Sequence, residues 1–264
     1  MKIAKINNTH IHYSDSGPQN GPVIVFSNSL GSDYRIWDRL AAYLEKKYRV
    51  IRYDKRGHGL SDVSDIPCSI KLLADDLAAL LDYLKIEKSI ICGISVGGMI
   101  AQQLAVSNPD LVQGLVLCNT SPKIGTEEFW QDRINTIETD GITAMADAIV
   151  DRWFSAKFRA EKKAEVQGWK NMLTRTTKEG YLATCEAIRA ANLTGSSEKI
   201  NVPVLCIAGS EDLATPVKDV QDMAMMINDA TFKRIDDAAH LPPIEKPELL
   251  AFHINEFTKE NDLV

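Results

Sequence analysis

The segment Gly93-Ile94-Ser95-Val96-Gly97-Gly98 sets a serine between two glycines in the order GxSxG. A strand-like run, Ser89–Cys92, comes before it and a helical run after it. That context suits a nucleophile elbow, a sharp strand-to-helix turn whose small flanking residues let the hydroxyl stand clear of the sheet edge. The following helix would aim its first amides at the site, where negative charge is favoured. A phosphate cradle fits less well. Met99 follows Gly98, so the Lys-Ser/Thr of a P-loop is missing, and the spacing is not GxGxxG. On the motif alone, a plain tight turn without chemistry stays open.

Serine attacks well only when a base takes its proton. Of the five histidines, His10 and His12 fall in a hairpin-like segment whose alternation suits a surface strand. His58 lies in the turn Arg56-Gly57-His58-Gly59, and His253 within a helical pattern. His240 follows the strand-like run Thr231–Ile235, in a loop before Pro242-Pro243. Loops at the C-terminal ends of parallel strands collect ligands and catalytic groups, so His240 is the expected base. The carboxylate that fixes its tautomer is expected at Asp212, after the run Val204–Ala208; Glu211 beside it would point to solvent. A cap or turn role for Asp212 before Thr215-Pro216 is the alternative. The order Ser95, Asp212, His240 is one known chain order for a serine-hydrolase triad. In some relatives of that arrangement the acid stands one strand earlier, but here that place offers Asn119, Thr120 and Ser121. Oxyanion donors are expected from the Val96 amide and from the loop Ser27-Asn28-Ser29-Leu30-Gly31, with Leu30 preferred and Ser29 next.

Elements must hold these groups together. Val23–Phe26, Arg49–Tyr53, Ile90–Cys92, Leu115–Cys118, Val204–Ala208 and Thr231–Ile235 read as strands. Helical spacing appears at Ile70, Leu73, Leu77, Leu80, Leu81 and Leu84, again from Met99 to Asn108, along Val217–Ile227, and from Ile244 to Phe257. Such alternation predicts an α/β fold with a mostly parallel central sheet and helices on both faces. From Pro122 to about Lys199 the patterns are helical throughout. The expected organisation is a core half in 1–121, a helical lid in 122–199 and a second core half in 200–264; a few surface helices with no lid role are the alternative.

Composition limits the partners. The chain has 264 residues, 45% of them hydrophobic, and a net charge of -6. That excludes disorder as the main state and lacks the basic footprint of a nucleic-acid binder. No run approaches the ~18 apolar residues of a membrane span, and the N-terminal residues do not read as a secretory signal. Cys68, Cys92, Cys118, Cys185 and Cys206 are scattered with no CxxC. Buried free thiols in a reducing cytoplasm are expected, with no metal and no organic cofactor. A homo-oligomer is left open.

Taken together, the elbow, Asp212, His240 and the turn Asp54-Lys55-Arg56-Gly57-His58-Gly59 resemble the α/β-hydrolase family over essentially the whole chain. In that family the turn is mainly structural, which makes His58 scaffold. Within the family the chain is most similar to the 3-oxoadipate enol-lactonases of aromatic catabolism. Ser27-Asn28-Ser29-Leu30-Gly31 stands where many relatives carry His-Gly, and Arg152-Trp153-Phe154 and Cys185-Glu186-Ala187-Ile188-Arg189 look like the lid of those enzymes. The resemblance implies opening of the enol-lactone ring by water, a step of the β-ketoadipate pathway. Another ester, peracid or C–C bond hydrolase on the same triad, or a small-molecule receptor on this fold, are the alternatives. Dehalogenase and epoxide-hydrolase chemistry is disfavoured, because those relatives carry Asp at the Ser95 position. The implied substrate bears a free carboxylate, so an arginine should meet it. Arg133, Arg152 and Arg189 in the lid and Arg35 near the oxyanion loop are candidates, each with a solvated or structural role as the alternative. Trp130 and Trp153 would wall the ring or simply pack the lid.

Overall fold

The apolar runs of the chain become neighbouring strands of one eight-stranded sheet in the computed structural model, which describes residues 1–63 and 67–264. The strands are β1 Lys2–Ile6, β2 Thr9–Ser16, β3 Val23–Ser27, β4 Arg49–Tyr53, β5 Ser89–Ile94, β6 Val112–Cys118, β7 Val204–Gly209 and β8 Thr231–Ile235. Their spatial order is β1-β2-β4-β3-β5-β6-β7-β8. β1 and β2 form an antiparallel hairpin that joins β4 antiparallel, and every pair from β4 to β8 is parallel. Every residue of β5 and β7 is buried, as parallel strands covered on both faces require. Burial of one such Ile or Leu side chain is worth roughly 1.5–3 kcal/mol.

The covering helices take their bounds from local chemistry. Helix α1 is Asp38–Leu44 and helix α2 is Ile70–Tyr83. The Ser69 side chain caps α2 by accepting from the Leu72 amide, and Ile70, Leu73, Leu77, Leu80 and Leu81 form its buried face. Helix α3, Val96–Ser107, packs against α2, β5 and β6. Between β6 and β7 the described residues form α4 Glu127–Asp140, α5 Ile142–Trp153, α6 Ala156–Glu161, α7 Lys163–Thr174, α8 Lys178–Ala190 and α9 Thr194–Ser197. In this segment α4 packs on α8 and α5 on α7. After β7 come α10 Val217–Met226, α11 Pro242–Glu245 and α12 Pro247–Glu260.

Two expectations need correction. The final helical pattern, Ile244 to Phe257, is two helices, because Pro247 starts a new one and its ring cannot continue the first. His12 lies on β2 but is buried, with its Nδ1 2.8 Å from Asp54 Oδ2 and its ring stacked on Tyr34. Alternation marks a strand but cannot show that the loop after β4 folds back over its outer face. The four cysteines Cys92, Cys118, Cys185 and Cys206 are buried and Cys68 is half-buried, all as free thiols. Burial, then the neighbouring Cys118, pushes the Cys206 thiol up to about 12, so it is inert at neutral pH. Among the described residues no helix is long and apolar enough to cross a membrane.

Candidate active site

Ser95 sits between β5 and α3 with φ 57° and ψ -124°. That backbone conformation is strained for any residue with a side chain, and several contacts fix it. Its amide donates to the carbonyls of Cys118 and Asn119, each at 3.1 Å, while its carbonyl accepts from Thr120 Oγ1 at 2.7 Å. The glycines of the motif are steric necessities. A Cβ on Gly93 would lie 2.2 Å from Gly97 O, and one on Gly97 2.0 Å from Ser27 O. The turn is therefore as tight as its sequence implies, and it holds Ser95, 8% exposed, at the cavity wall.

Asp212 follows β7 and is saturated by donors. Its Oδ1 accepts from the amides of Ala214 (2.7 Å) and Thr215 (3.2 Å). Its Oδ2 accepts from Thr215 Oγ1 (2.7 Å), Asn119 Nδ2 (2.8 Å) and His240 Nδ1 (2.8 Å). Burial by itself would raise this carboxyl, but the His240 charge and these donors together hold it below its ordinary value. An ionised Asp212 makes Nδ1 the protonated nitrogen of His240 and leaves Nε2 as an acceptor. Nε2 lies 3.5 Å from Ser29 Oγ, and it shares the cavity wall with Ser95. Among the described residues Ser95 Oγ and Nε2 are not joined by a hydrogen bond; such bonds are often long before a substrate closes them. Glu211 is exposed, as expected.

Two residues that sequence reasoning missed hold this assembly. Asn119, at φ 44°, donates to Asp212 and also to Ala239 O at 2.9 Å, while its Oδ1 accepts from the Gly209 amide. A buried amide with all these partners clamps the acid strand to the histidine loop. Glu245 accepts from the Ala239 amide at 2.8 Å and from Ser155 N and Oγ. It ties the histidine loop to the start of α6, and Leu241 N adds a bond to Trp153 O at 3.1 Å. The signal for Asn119 in the sequence is its place just past β6, with an amide that both donates and accepts.

The cavity is about 270 Å³. Its floor is Ser29, Leu30, Ser95, Ala214 and His240; its walls come from the inserted helices and the segment leading into them, including Phe129, Trp130, Arg133, Arg152, Trp153 and Tyr181. Leu30 lines the cavity together with Ser95, Val96 follows Ser95 as the first residue of α3, and neither amide has a protein acceptor among the described residues. Trp130 and Trp153 both line the cavity; Trp130 is pinned by Nε1 donating to Ile124 O at 2.6 Å. The four candidate arginines separate cleanly. Arg189 is outside the cavity wall and is held by Glu186 (2.7 Å) and Glu127 (3.5 Å), so its face of α8 carries lid cohesion. Arg35 is held by Asp33 and lines a different hollow. Arg133 and Arg152 line the cavity itself, and neither has an acidic partner within 4.0 Å among the described residues. Arg133 stacks over Phe129 (5.0 Å) and Trp130 (5.2 Å), its Nη1 lies 3.4 Å from Tyr181 Oη, and its Nε is buried without a partner. Arg152 lies over Phe129 and donates to Leu213 O at 2.8 Å.

Comparison with known proteins adds the following. A sequence profile of the alpha/beta hydrolase fold matches residues 22–247. The 3-oxoadipate enol-lactonase 2 of Acinetobacter baylyi is 36% identical over 238 residues, 90% of this chain and 89% of its own length. The 3-oxoadipate enol-lactonase 1 of the same organism is 37% identical over 244 residues, 92% and 91% of the two chains. The crystal structure of the enol-lactonase from Burkholderia xenovorans superposes with a TM-score of 0.95 at 37% identity, covering 98% of this chain and 100% of that one.

Proposed function

The chain belongs to the α/β-hydrolase family, and from that premise we propose that it opens an enol-lactone of the 3-oxoadipate type through an acyl-enzyme on Ser95. The carrying observation is the pair Arg133 and Arg152 above the serine, two guanidinium groups in an aromatic-walled cavity with no acidic partner among the described residues. Burial, then the Arg133 charge, holds the Arg152 guanidinium below its ordinary value. A carboxylate on the substrate relieves that repulsion and gives Arg133 Nε an acceptor. A plain neutral ester would leave both groups as they are. The names of the similar proteins support the same substrate class.

The chemistry follows from the residues. His240 Nε2 accepts the Ser95 proton as Oγ adds to the lactone carbonyl, and Asp212 stabilises the imidazolium. The amides of Leu30 and Val96 take the oxyanion charge. Collapse breaks the ring C–O bond; the enolate oxygen stays tethered to the acyl group and receives the proton from His240. The enol tautomerises to a ketone, which draws the reaction forward. Water, deprotonated by His240, then releases the acid. The segment 122–199 acts as the lid that walls the cavity and carries the arginines.

Purified protein should abolish the ultraviolet absorbance of freshly generated enol-lactone at a rate far above the buffer reaction; no acceleration overturns the assignment. Arg133→Leu should raise KM for that substrate roughly 10- to 100-fold, from about 1.5–3 kcal/mol for a charge-assisted bond, while an uncharged aryl ester keeps its KM. An equal rise for both substrates would remove Arg133 from carboxylate recognition.

A further inference from the structure

Lys55 is 1% exposed, yet no carboxylate lies within 4.0 Å of its ammonium among the described residues. Burying a charge without a carboxylate is expensive, so its contacts matter. Its Nζ donates to Ser29 O at 2.6 Å and lies 3.5 Å from Ser32 O. Both acceptors belong to the loop after β3. Ser29 O is gripped further by Ser32 Oγ at 2.9 Å and by the Ser32 amide at 3.3 Å, a turn in which Gly31 takes φ 73°. On the other side of Leu30, the Gly31 amide donates to His58 Nε2 at 3.0 Å. His58 must be neutral to accept it, and burial together with the Lys55 charge holds it well below its ordinary value. The turn 54–59 thus fastens the peptide groups on both sides of Leu30.

A trans peptide points its carbonyl and its N–H in opposite directions. Fixing Ser29 O inward against Lys55 therefore turns the Leu30 N–H outward, toward the cavity that Leu30 lines. A cation on the carbonyl also polarises the peptide and makes its N–H a stronger donor. We propose that Lys55 is a positioning residue for the oxyanion donor, aiming and polarising the Ser29–Leu30 peptide from beneath without touching substrate. Burial draws its own ammonium down to about 7 against the opposing pull of Asp54 and Asp33; the charged form is disfavoured there, and aiming the peptide needs only an Nζ–H donor to Ser29 O, which the ammonium and the neutral amine both carry. The proposal rests on the serine-hydrolase reading above.

The test uses Lys55→Met and, as a milder change at the same carbonyl, Ser32→Ala. Active sites are counted with a fluorophosphonate that labels the nucleophilic serine. Turnover of p-nitrophenyl acetate is then expressed per labelled site, and inhibition is measured with an aryl trifluoromethyl ketone, whose serine adduct bears an oxyanion. Lys55→Met should lose roughly 10- to 100-fold in kcat, part of the 10²–10³ that a whole oxyanion donor is worth. KM should stay within about threefold, and the ketone Ki should rise by the same factor as kcat falls. Ser32→Ala should move both in the same direction by a smaller factor. Per-site kcat and ketone Ki unchanged in Lys55→Met overturn the proposal, as does a loss confined to the number of labelled sites. If that variant does not fold, an unchanged ketone Ki in Ser32→Ala overturns it. Wild-type protein that fails to take the label at Ser95 would instead overturn the underlying reading.

Discussion

Replacing Ser95 by alanine should lower kcat toward the enol-lactone by about 10⁶, the loss seen when a serine protease is stripped of its nucleophile. The methyl group cannot form the acyl-enzyme, and His240 is left with no proton to take. A residual acceleration of roughly 10³ over water should survive, because the Leu30 and Val96 amides and the cavity still bind and polarise the carbonyl. Folding should not change. Alanine suffers the same strain at φ 57° as serine, and the bonds that fix the turn are made by the backbone of residue 95. Steady-state kinetics beside a thermal melt check both halves. A variant that keeps more than about 1% of wild-type kcat, with an unchanged melting temperature, would move the nucleophile elsewhere.

The places of Ser95, Asp212 and His240 were readable because each lies past a strand, where local pattern marks the strand end. Their setting was not readable. Asn119 and Glu245 matter through bonds to residues far away in sequence, at 93 positions for Asn119 with Asp212 and 90 for Glu245 with Ser155. No periodicity encodes such a pairing. Hydrophobic spacing found the inserted helices but could not tell which side of each faces the serine. Arg152 on α5 and Arg189 on α8 differ by a signal the sequence does carry: Glu186, one helical turn before Arg189, takes it up, and Arg152 has no acid at that spacing. Lys55 read as part of a structural turn, and only its burial beneath the loop after β3 separates it from a surface lysine.

Asp212→Asn should cost about 10⁴ in kcat while leaving KM within a few-fold, the loss expected when the orienting acid becomes an amide of the same shape. The neighbours decide which way that amide turns. Oδ2 of Asp212 now accepts from Asn119 Nδ2, Thr215 Oγ1 and His240 Nδ1, and Oδ1 accepts from two backbone amides. An asparagine has one oxygen for five donors. With its oxygen on the Ala214 and Thr215 amides, its NH₂ faces Nδ1 of His240, which must then give up its proton and accept. The proton moves to Nε2, the nitrogen that has to receive the Ser95 proton, so the base is blocked by tautomer with its ring still in place. Because Asp212 is held below its ordinary pKa in the native protein, it stays ionised throughout the neutral range. The acid-side profile of kcat/KM should therefore carry no step from Asp212 above pH ~4. Asn119→Ala should cost less than Asp212→Asn, since it removes a clamp and leaves the charge. Measured kcat values for the two variants, with a pH profile of the wild type, check the ordering. A loss under tenfold in Asp212→Asn would mean that the histidine takes its orientation from the Asn119 and Glu245 clamps on its loop, with the buried carboxylate serving only as a cap for residues 214 and 215.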